Sequence, residues 1–237
     1  MPGAQMKILM IGAEPREFTG VLQQAREVQP TRLDAHWARG GKLGANEVLL
    51  VANGAGRRRA AAAVDAAVAA GFQPQAIASI GFCGALVPEL RVADVVVADP
   101  AVESGQEYRT VPASGGGRFV RGVLITVDHI VRTAEEKRAL GATGAKVVDM
   151  EAGGVAERSQ ELAVPFLSVK AVTDLAWETL ANDFQRALRP DGLLDTIEVL
   201  ESGLRRPMTR IPELIRLWVR CARASRALGV FFADCRI

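Results

Sequence analysis

Three sets of acidic side chains stand next to apolar segments that are typical of buried strands. Asp174 ends one such segment, Asp149 and Glu151 follow a second, and Glu17 comes shortly after the first apolar segment of the chain. The carboxyl ends of strands are where α/β proteins meet their ligands. Cleavage of a glycosidic bond needs an acid for the leaving group, a base for water and a polar clamp on the sugar. The three sets therefore predict an enzyme that breaks a glycosidic bond.

Two of these acids, Asp149 and Asp174, also have a purely structural explanation. Asp149 could be present because the N-terminus of the following helix favours a negative charge. Asp174, with Thr173 before it, could cap a helix. Glu151 is followed by the small residues 152–154, which let a helix pack close to a sheet and to a ligand. No single acid decides the function, so the inference depends on the order of all the motifs.

A glycine-containing turn precedes a helix that is predicted to begin at Arg57. Gly54 and Gly56 lie in this turn. The N–H groups of such turns and the N-terminus of a helix attract anions, so Gly54, Gly56, Arg57 and the earlier Arg16 are candidates for binding phosphate. An ordinary tight turn is the simpler alternative. A dinucleotide fingerprint also needs an acid about 20 residues later, and the chain has none there, so NAD is not predicted.

A second glycine-containing turn closes another predicted strand, at Gly81 and Phe82. Glycine at a strand end lets a ligand approach the backbone closely, and a plain turn is again the alternative. Cys83, which follows, is interpreted as a small packing residue because no base is recognisable beside it.

The composition narrows the possible functions. The chain has 237 residues, 49% of them hydrophobic, which is enough for one sizeable core. Its net charge of +2 gives no strong attraction to nucleic acid. Three widely spaced cysteines suggest no disulfide framework, so we expect a cytoplasmic protein. With only two histidines and no metal-binding motif, we expect no metal site.

Short apolar segments alternate with alanine-rich helical patterns along the chain. The strands are predicted at 7–12, 47–52, 76–81, 93–98, 121–126, 145–149 and 165–171. The helices are predicted at 16–28, 57–71, 132–141, 151–162 and 190–202. This alternation favours a largely parallel sheet covered by helices on both faces. The stretch 103–118 is expected to be an exposed loop or hairpin.

The C-terminal segment differs in composition, and we divide the chain into a main domain, 1–204, and an arginine-rich helical extension, 205–237. At helical spacing its apolar residues share one face, namely Leu214, Leu217, Trp218 and Cys221. One interpretation is a terminal helix docked on the core with a solvated basic face. The other is an amphipathic helix that lies on an anionic membrane, giving a peripheral location, or grips a partner subunit.

Taken in order, the motifs resemble the nucleoside phosphorylase/nucleosidase superfamily, and most nearly its methylthioadenosine/S-adenosylhomocysteine nucleosidases. The resemblance runs from about residue 7 to about residue 200. The segments that carry it are Ile11 through Glu17, 53–56, 80–84, 92–97, 148–152, 164–166 and 172–174. It implies a three-layer α/β/α sandwich around a mixed, largely parallel sheet. It also implies a homo-oligomer, a dimer or larger, that needs no cofactor.

The resemblance assigns roles to individual residues. It implies that Asp174 protonates N7 of a purine base, that Glu17 orients and deprotonates water, and that Glu151 holds the ribose hydroxyls. It also implies further substrate contacts from Met150 beneath the ribose, from Ile130 and Val131 at the base, and from Asp149, Gly81, Phe82 and Thr173 around them.

Several positions depart from the related patterns. Hexameric phosphorylases bind phosphate with an arginine where this chain has Glu17, and with another where it has Ser79. Phe82 replaces a hydroxyl side chain and cannot donate a hydrogen bond. A carboxylate would also repel phosphate, so water is the favoured nucleophile. Arg16 and the arginine triplet at 57–59 keep phosphorolysis as an alternative.

Phe82 and the C-terminal extension bear on the substrate. The nucleosidases usually have a serine at the position of Phe82, and the extension is similar to that of hopanoid-associated phosphorylases, which act on a lipid-linked adenosyl group. We therefore predict hydrolysis of an adenine nucleoside with a modified 5′ group. The alternatives are phosphorolysis, including that of an adenosylhopane-type lipid nucleoside, a futalosine-type hydrolase, and a nucleoside-binding protein without activity.

Overall fold

Ten strands pair into one sheet in the computed structural model, which describes residues 5–237. The strands are β1 Lys7–Gly12, β2 Arg26–Pro30, β3 Trp37–Leu43, β4 Asn46–Ala52, β5 Ala76–Ala85, β6 Val95–Glu103, β7 Gln106–Tyr108, β8 Phe119–Thr126, β9 Val147–Asp149 and β10 Phe166–Asp174. The helices are a 3-10 turn at Pro15–Phe18, α1 Thr19–Gln24, α2 Arg57–Ala69, α3 Ala134–Gly141, α4 Ala152–Glu161, α5 Phe184–Ala187, α6 Thr196–Arg205 and α7 Pro207–Ala233.

The sheet combines an open part with a closed ring. Its strands follow the order β2-β3-β4-β1-β5-β9-β8-β6-β10, and β10 also pairs with β5. Strands β5, β9, β8, β6 and β10 therefore close on themselves. Within the described residues, five strand pairings are parallel and five are antiparallel. The predicted mixed sheet is confirmed, although parallel pairings do not outnumber antiparallel ones.

Helices cover both faces of the sheet, as the predicted three-layer sandwich requires. In β1, Leu9 and Ile11 join the core beneath α2 and α4, whereas Ile8 and Met10 join the core beneath α1 and α7. Successive side chains of a strand point to opposite faces, so a fully apolar β1 supplies both cores. The α/β fold class is confirmed.

Two of the predicted helices have boundaries that differ from the observed ones by more than two residues. The helix expected at 16–28 ends at Gln24, and the edge strand β2 follows it. Edge strand β2 is mostly exposed and pairs with β3 on one side. The helix expected at 190–202 begins at Thr196, where the Asp195 carboxylate accepts the N–H groups of Ile197 and Glu198. That cap stops the helix from extending back toward residue 190.

Stretch 103–118 contains the hairpin that the sequence allowed. Strand β7 pairs antiparallel with the end of β6, and Ser104 and Gly105 form the connection. Both residues have positive φ angles, 49° and 81°, as tight hairpin turns require.

Helix α7 has two halves with different environments. Its second half packs on the sheet and buries Ala224, Leu228, Phe231 and Phe232 in the core. Its first half, together with α6, leaves large apolar side chains exposed, among them Leu204, Met208 and Trp218. The second half of the predicted extension is thus part of the core. Among the described residues, no helix combines the length and the apolar character needed to cross a membrane.

Candidate active site

A cavity of about 650 Å³ opens where the first, fifth, ninth and tenth strands end. Glu17, Glu151 and Asp174 all line it, so the structure brings the three predicted carboxylates to one place. Its opposite wall is mostly apolar and comes from α5, α6, the loop between them and α7, with Phe184, Leu193, Leu194, Val199, Leu214, Leu217, Trp218 and Cys221. The cavity therefore has a charged end and an apolar end.

Asp174 is the last residue of β10, and its two carboxylate oxygens have different partners. Oδ1 accepts a hydrogen bond from the Thr173 hydroxyl at 3.1 Å. Oδ2 lies 2.5 Å from the ammonium nitrogen of Lys137, which is completely buried. Asp174 itself stays partly accessible from the cavity, with 15% of its side chain exposed. The acid is held rigidly and still faces the space in which a ligand would lie.

Glu17 lies in the 3-10 turn after β1 and is anchored by backbone groups. Its Oε2 accepts the N–H groups of Ala13 at 2.6 Å and Glu14 at 3.0 Å, and its Oε1 accepts that of Phe82 at 3.1 Å. A Cβ atom at Gly81 would lie 2.5 Å from Oε1, so the glycine leaves room for the carboxylate. Burial raises the pKa of Glu17 above its usual range. Such a group can accept a proton near neutral pH.

Asp149 and Glu151 flank the start of α4. The Asp149 carboxylate accepts hydrogen bonds from the Thr126 hydroxyl at 2.7 Å and from the Ala152 N–H at 2.9 Å. Burial, helped by the negative charges of Asp149 and Glu17, raises the pKa of Glu151 to about 7, although the positive charge of Lys170 opposes this rise. Asp149 therefore holds the strand-to-helix junction together, while Glu151 adds a carboxyl group with a raised pKa to the cavity.

Lys170 lies beneath the carboxylates in the middle of β10. Its ammonium nitrogen is 2.8 Å from Asp149 and 3.8 Å from Glu151. Burial alone would lower the pKa of Lys170, but the negative charges of Asp149, Glu151 and Glu17 raise it overall. One buried cation thus compensates part of a group of three buried acids, which would otherwise repel one another.

A model of the phosphorylase superfamily matches residues 7–115 and 103–191. These two ranges together span well over half of the 237 residues. The chain belongs to the phosphorylase superfamily. This membership confirms the predicted superfamily and the prediction of an enzyme of the nucleosidase or phosphorylase type.

Solved structures of this superfamily share the fold along nearly the whole chain. The S-adenosylhomocysteine nucleosidase of Streptococcus pyogenes, in complex with 5-methylthiotubericidin, has a TM-score of 0.67 and 21% identity, covering 92% of this chain and 98% of that one. The methylthioadenosine/S-adenosylhomocysteine nucleosidase of S. pneumoniae, with the transition-state inhibitor MT-ImmA, has a TM-score of 0.71 and 20% identity over 97% and 99%. Futalosine hydrolase of Helicobacter pylori has a TM-score of 0.68 and 18% identity over 94% and 95%. At these identities the likeness establishes the fold.

The remaining residues that the superfamily resemblance implied as substrate contacts mostly reach the cavity. Its lining includes Asp149, Met150, Phe82, Ile130, Val131 and Thr173. The Ile130 N–H donates to the side-chain oxygen of Gln185 at 2.8 Å, so this backbone group already has a partner. Gly81 lies beneath Glu17 and makes room for its carboxylate.

The predicted anion-binding turn holds an acid of the protein itself. The Gly56 N–H donates to Oε1 of Glu151 at 3.0 Å, at the N-terminus of α2. Gly54 is covered by the loop at Asp191, whose carbonyl oxygen would lie 2.4 Å from a Cβ at this position. The N-terminus of α2 thus binds the Glu151 carboxylate. This is the carboxylate that the resemblance implies holds the ribose hydroxyls.

The candidate phosphate-binding arginines are engaged in ion pairs. Arg57 contacts Glu103 at 2.9 Å and Glu157 at 2.8 Å, and it is not among the described residues that line the cavity. Arg16 does line the cavity, with its Nε 2.5 Å from the Glu14 carboxylate. Of the two, Arg16 is the cation that an anion in the cavity could reach.

Two lysines of the site were missed by the sequence analysis. Lys170 carried a recognisable signal, because it is the one cation inside the apolar strand that ends at Asp174. Lys137 carried none, since it belongs to the polar sequence of α3 and only the fold brings it to β10. A contact between residues 37 positions apart cannot be found from local spacing.

The apolar face predicted for the C-terminal helix is confirmed as one surface. Leu214, Leu217, Trp218 and Cys221 all line the cavity. Arg220, on another face, forms a bidentate ion pair with Glu178 at 2.7 and 2.9 Å. This pair ties α7 to the segment that follows Asp174, so the helix is fixed as a wall of the site.

Proposed function

We propose that the protein hydrolyses the N-glycosidic bond of an adenine nucleoside that carries a modified 5′ group. The observation that supports this most directly is the single cavity into which Glu17, Glu151 and Asp174 all project. The superfamily membership supports the same class of reaction, cleavage between a base and a ribose.

Each carboxylate has a role that suits its surroundings. Asp174 donates a proton to N7, so that adenine leaves as a neutral base. Glu151, held by the Gly56 N–H, accepts hydrogen bonds from the ribose hydroxyls as positive charge develops on the sugar. Glu17 takes a proton from the attacking water, a role that its raised pKa favours.

The surroundings of Glu17 favour water over phosphate as the nucleophile. A buried carboxylate beside the attack position repels an anion, and the neighbouring Arg16 is paired with Glu14. Phosphorolysis is the second candidate, because a phosphate could replace Glu14 as the partner of Arg16. The two reactions differ in their sugar product, which is the free 5-substituted ribose after hydrolysis and its 1-phosphate after phosphorolysis.

The apolar end of the cavity supports a 5′ substituent without charge. Leu214, Leu217 and Trp218 of α7 lie at this end, and Phe82 lines the cavity as well. The complexes of the streptococcal nucleosidases contain 5′-methylthio-type analogues, which have a small apolar group of this kind. The alternative substrate is an adenine nucleoside with a larger apolar group, such as a lipid chain, on the 5′ carbon.

We also infer a contact between the α6–α7 face and an anionic membrane. The exposed apolar side chains on this face are Ile197, Leu200, Leu204, Met208, Ile211, Ile215, Trp218 and Val219. Helix α7 contains five arginines and a single acid, Glu213, which is buried. Apolar side chains flanked by arginines suit a surface of acidic lipid. Assembly into a homo-oligomer stays a separate prediction.

The proposed activity is tested by measuring free adenine from adenosine, 5′-methylthioadenosine and S-adenosylhomocysteine, with and without phosphate. Release without phosphate supports hydrolysis. Release only with phosphate would instead make the protein a phosphorylase. Binding of an adenosine analogue without release of base from any of the three, or from a lipid-linked nucleoside, would favour a binding protein without activity.

A further inference from the structure

Lys137 is a fully buried cation directly behind the proposed proton donor. It lies in the first turns of α3, and its ammonium nitrogen is 2.5 Å from Oδ2 of Asp174 and 3.0 Å from the Leu175 carbonyl oxygen. Removing an ammonium group from water is energetically unfavourable unless the group is paired. Lys137 donates both hydrogen bonds to the end of β10, at Asp174 and Leu175. The buried positive charge is therefore compensated by the carboxylate of Asp174, the proposed proton donor.

The geometry separates Lys137 from any ligand. Asp174 lines the cavity, whereas Lys137 is absent from the described residues that do so. An effect of Lys137 on the reaction must therefore pass through Asp174. With Oδ2 held by Lys137, the other carboxylate oxygen is the one that can carry a transferable proton, and the Thr173 hydroxyl fixes its orientation.

We propose that Lys137 is a positioning residue for Asp174. This inference rests on the proposed function. As the bond between C1′ and N9 breaks, its electron pair goes to the base and the proton of Asp174 moves to N7. Asp174 is left as a carboxylate beside the Lys137 ammonium. Water then adds its oxygen to C1′ and gives a proton to Glu17. The ammonium holds the carboxyl in place before the transfer and stabilises the charge left on it afterwards.

The test measures adenine release by Lys137→Met and Lys137→Arg in the full chain. We expect Lys137→Met to lower kcat about 100-fold, the loss that a misplaced catalytic group produces, with KM changed only a few-fold. Lys137→Arg, which keeps the charge and the donors, should recover part of this loss. Lys146→Met is the control, because Lys146 donates to the Arg121 carbonyl away from the cavity. A wild-type kcat in Lys137→Met would overturn the proposal.

A second comparison separates positioning from a general structural role. Lys137→Met leaves Asp174 without its ion-pair partner and could prevent folding, but Lys137→Met combined with Asp174→Asn removes both charges together. If Lys137 acts only through Asp174, this double variant and Asp174→Asn alone have the same residual rate. A further large loss in the double variant would overturn the proposal. Failure of the wild type to release any base would instead remove the proposed function itself.

Discussion

Glu17 is the residue whose surroundings most directly favour hydrolysis. Glu17→Gln removes the proton acceptor, and its amide would also face backbone N–H groups that now donate to a carboxylate. We expect adenine release in phosphate-free buffer to fall by a factor of about 100 or more, while an adenosine analogue still binds. Glu14→Gln is the matched control, since Glu14 lines the same cavity and pairs with Arg16. Undiminished release by Glu17→Gln would show that another group is the base.

Glu151 links the chemistry of the site to the stability of the fold. Its folded-state pKa of about 7 is above the ordinary value of 4.5, so the native state binds this proton more tightly than the unfolded state. That contribution to stability is present below pH 4.5 and is lost as the pH rises to 7. Glutamine does not titrate, so Glu151→Gln does not lose stability in this way. The free energy of unfolding of Glu151→Gln minus that of wild type should therefore increase by roughly 1–3 kcal/mol between pH 5 and pH 8.

Urea unfolding of both proteins at the two pH values measures this difference. The same substitution at exposed Glu201 controls for the general effect of removing a charge. A constant difference between Glu151→Gln and wild type at pH 5 and pH 8 would contradict the raised pKa.

At the scale of elements, the close crossing of α1 and α7 fixes the position of α7, the helix that forms part of the cavity wall. A Cβ atom at Gly229 would lie 2.3 Å from the Gly20 carbonyl oxygen, so this glycine lets the two helices touch. Gly229→Ala should separate them and lower the free energy of unfolding by about 1–3 kcal/mol. Gly203→Ala in α6 meets only ordinary contacts, at 3.6 Å or more, and should leave stability unchanged or raise it by up to about 1 kcal/mol. Chemical denaturation of both variants measures these changes in the free energy of unfolding. Equal changes in the two variants would show that the close crossing of α1 and α7 is not the cause of the loss in Gly229→Ala.

The sequence predicted the elements whose residues are buried on both sides or strongly periodic. Strand β1, at 7–12, and helix α2, from residue 57, were found at their observed starts, because apolar runs and alanine-rich helices have clear patterns. Edge strand β2 and its neighbour β3 were missed. Exposed polar residues of β2, such as Glu27 and Gln29, have no buried face that would produce alternation. The carboxylates were found because strand ends are marked locally, whereas Lys137 and the apolar wall depend on contacts between distant elements.

For the whole molecule, the α6–α7 face is the surface that we infer to contact an anionic membrane. The full chain is needed for any test, because α7 supplies Phe231 and Phe232 to the core and its removal would expose them. We expect wild type to float with vesicles that contain phosphatidylglycerol, and Leu204→Asp with Met208→Asp to stay in solution, since a buried charge opposes membrane contact. The control is Glu201→Gln in α6, the helix that also contains Leu204. Absence of flotation would contradict the membrane contact, and a dimer that the same two substitutions dissociate would assign the face to another copy of the chain.

The role of Asp174 is tested most directly by adenine release by wild type and Asp174→Asn in phosphate-free buffer. We expect wild type to release adenine and the free sugar with its 5′ substituent. We expect a loss of about 100-fold or more in the variant, since asparagine has no carboxyl proton to give. Binding of an adenosine analogue would show that the variant is folded, although Lys137 has lost its charged partner. Release by the variant at the wild-type rate would show that Asp174 is not the proton donor.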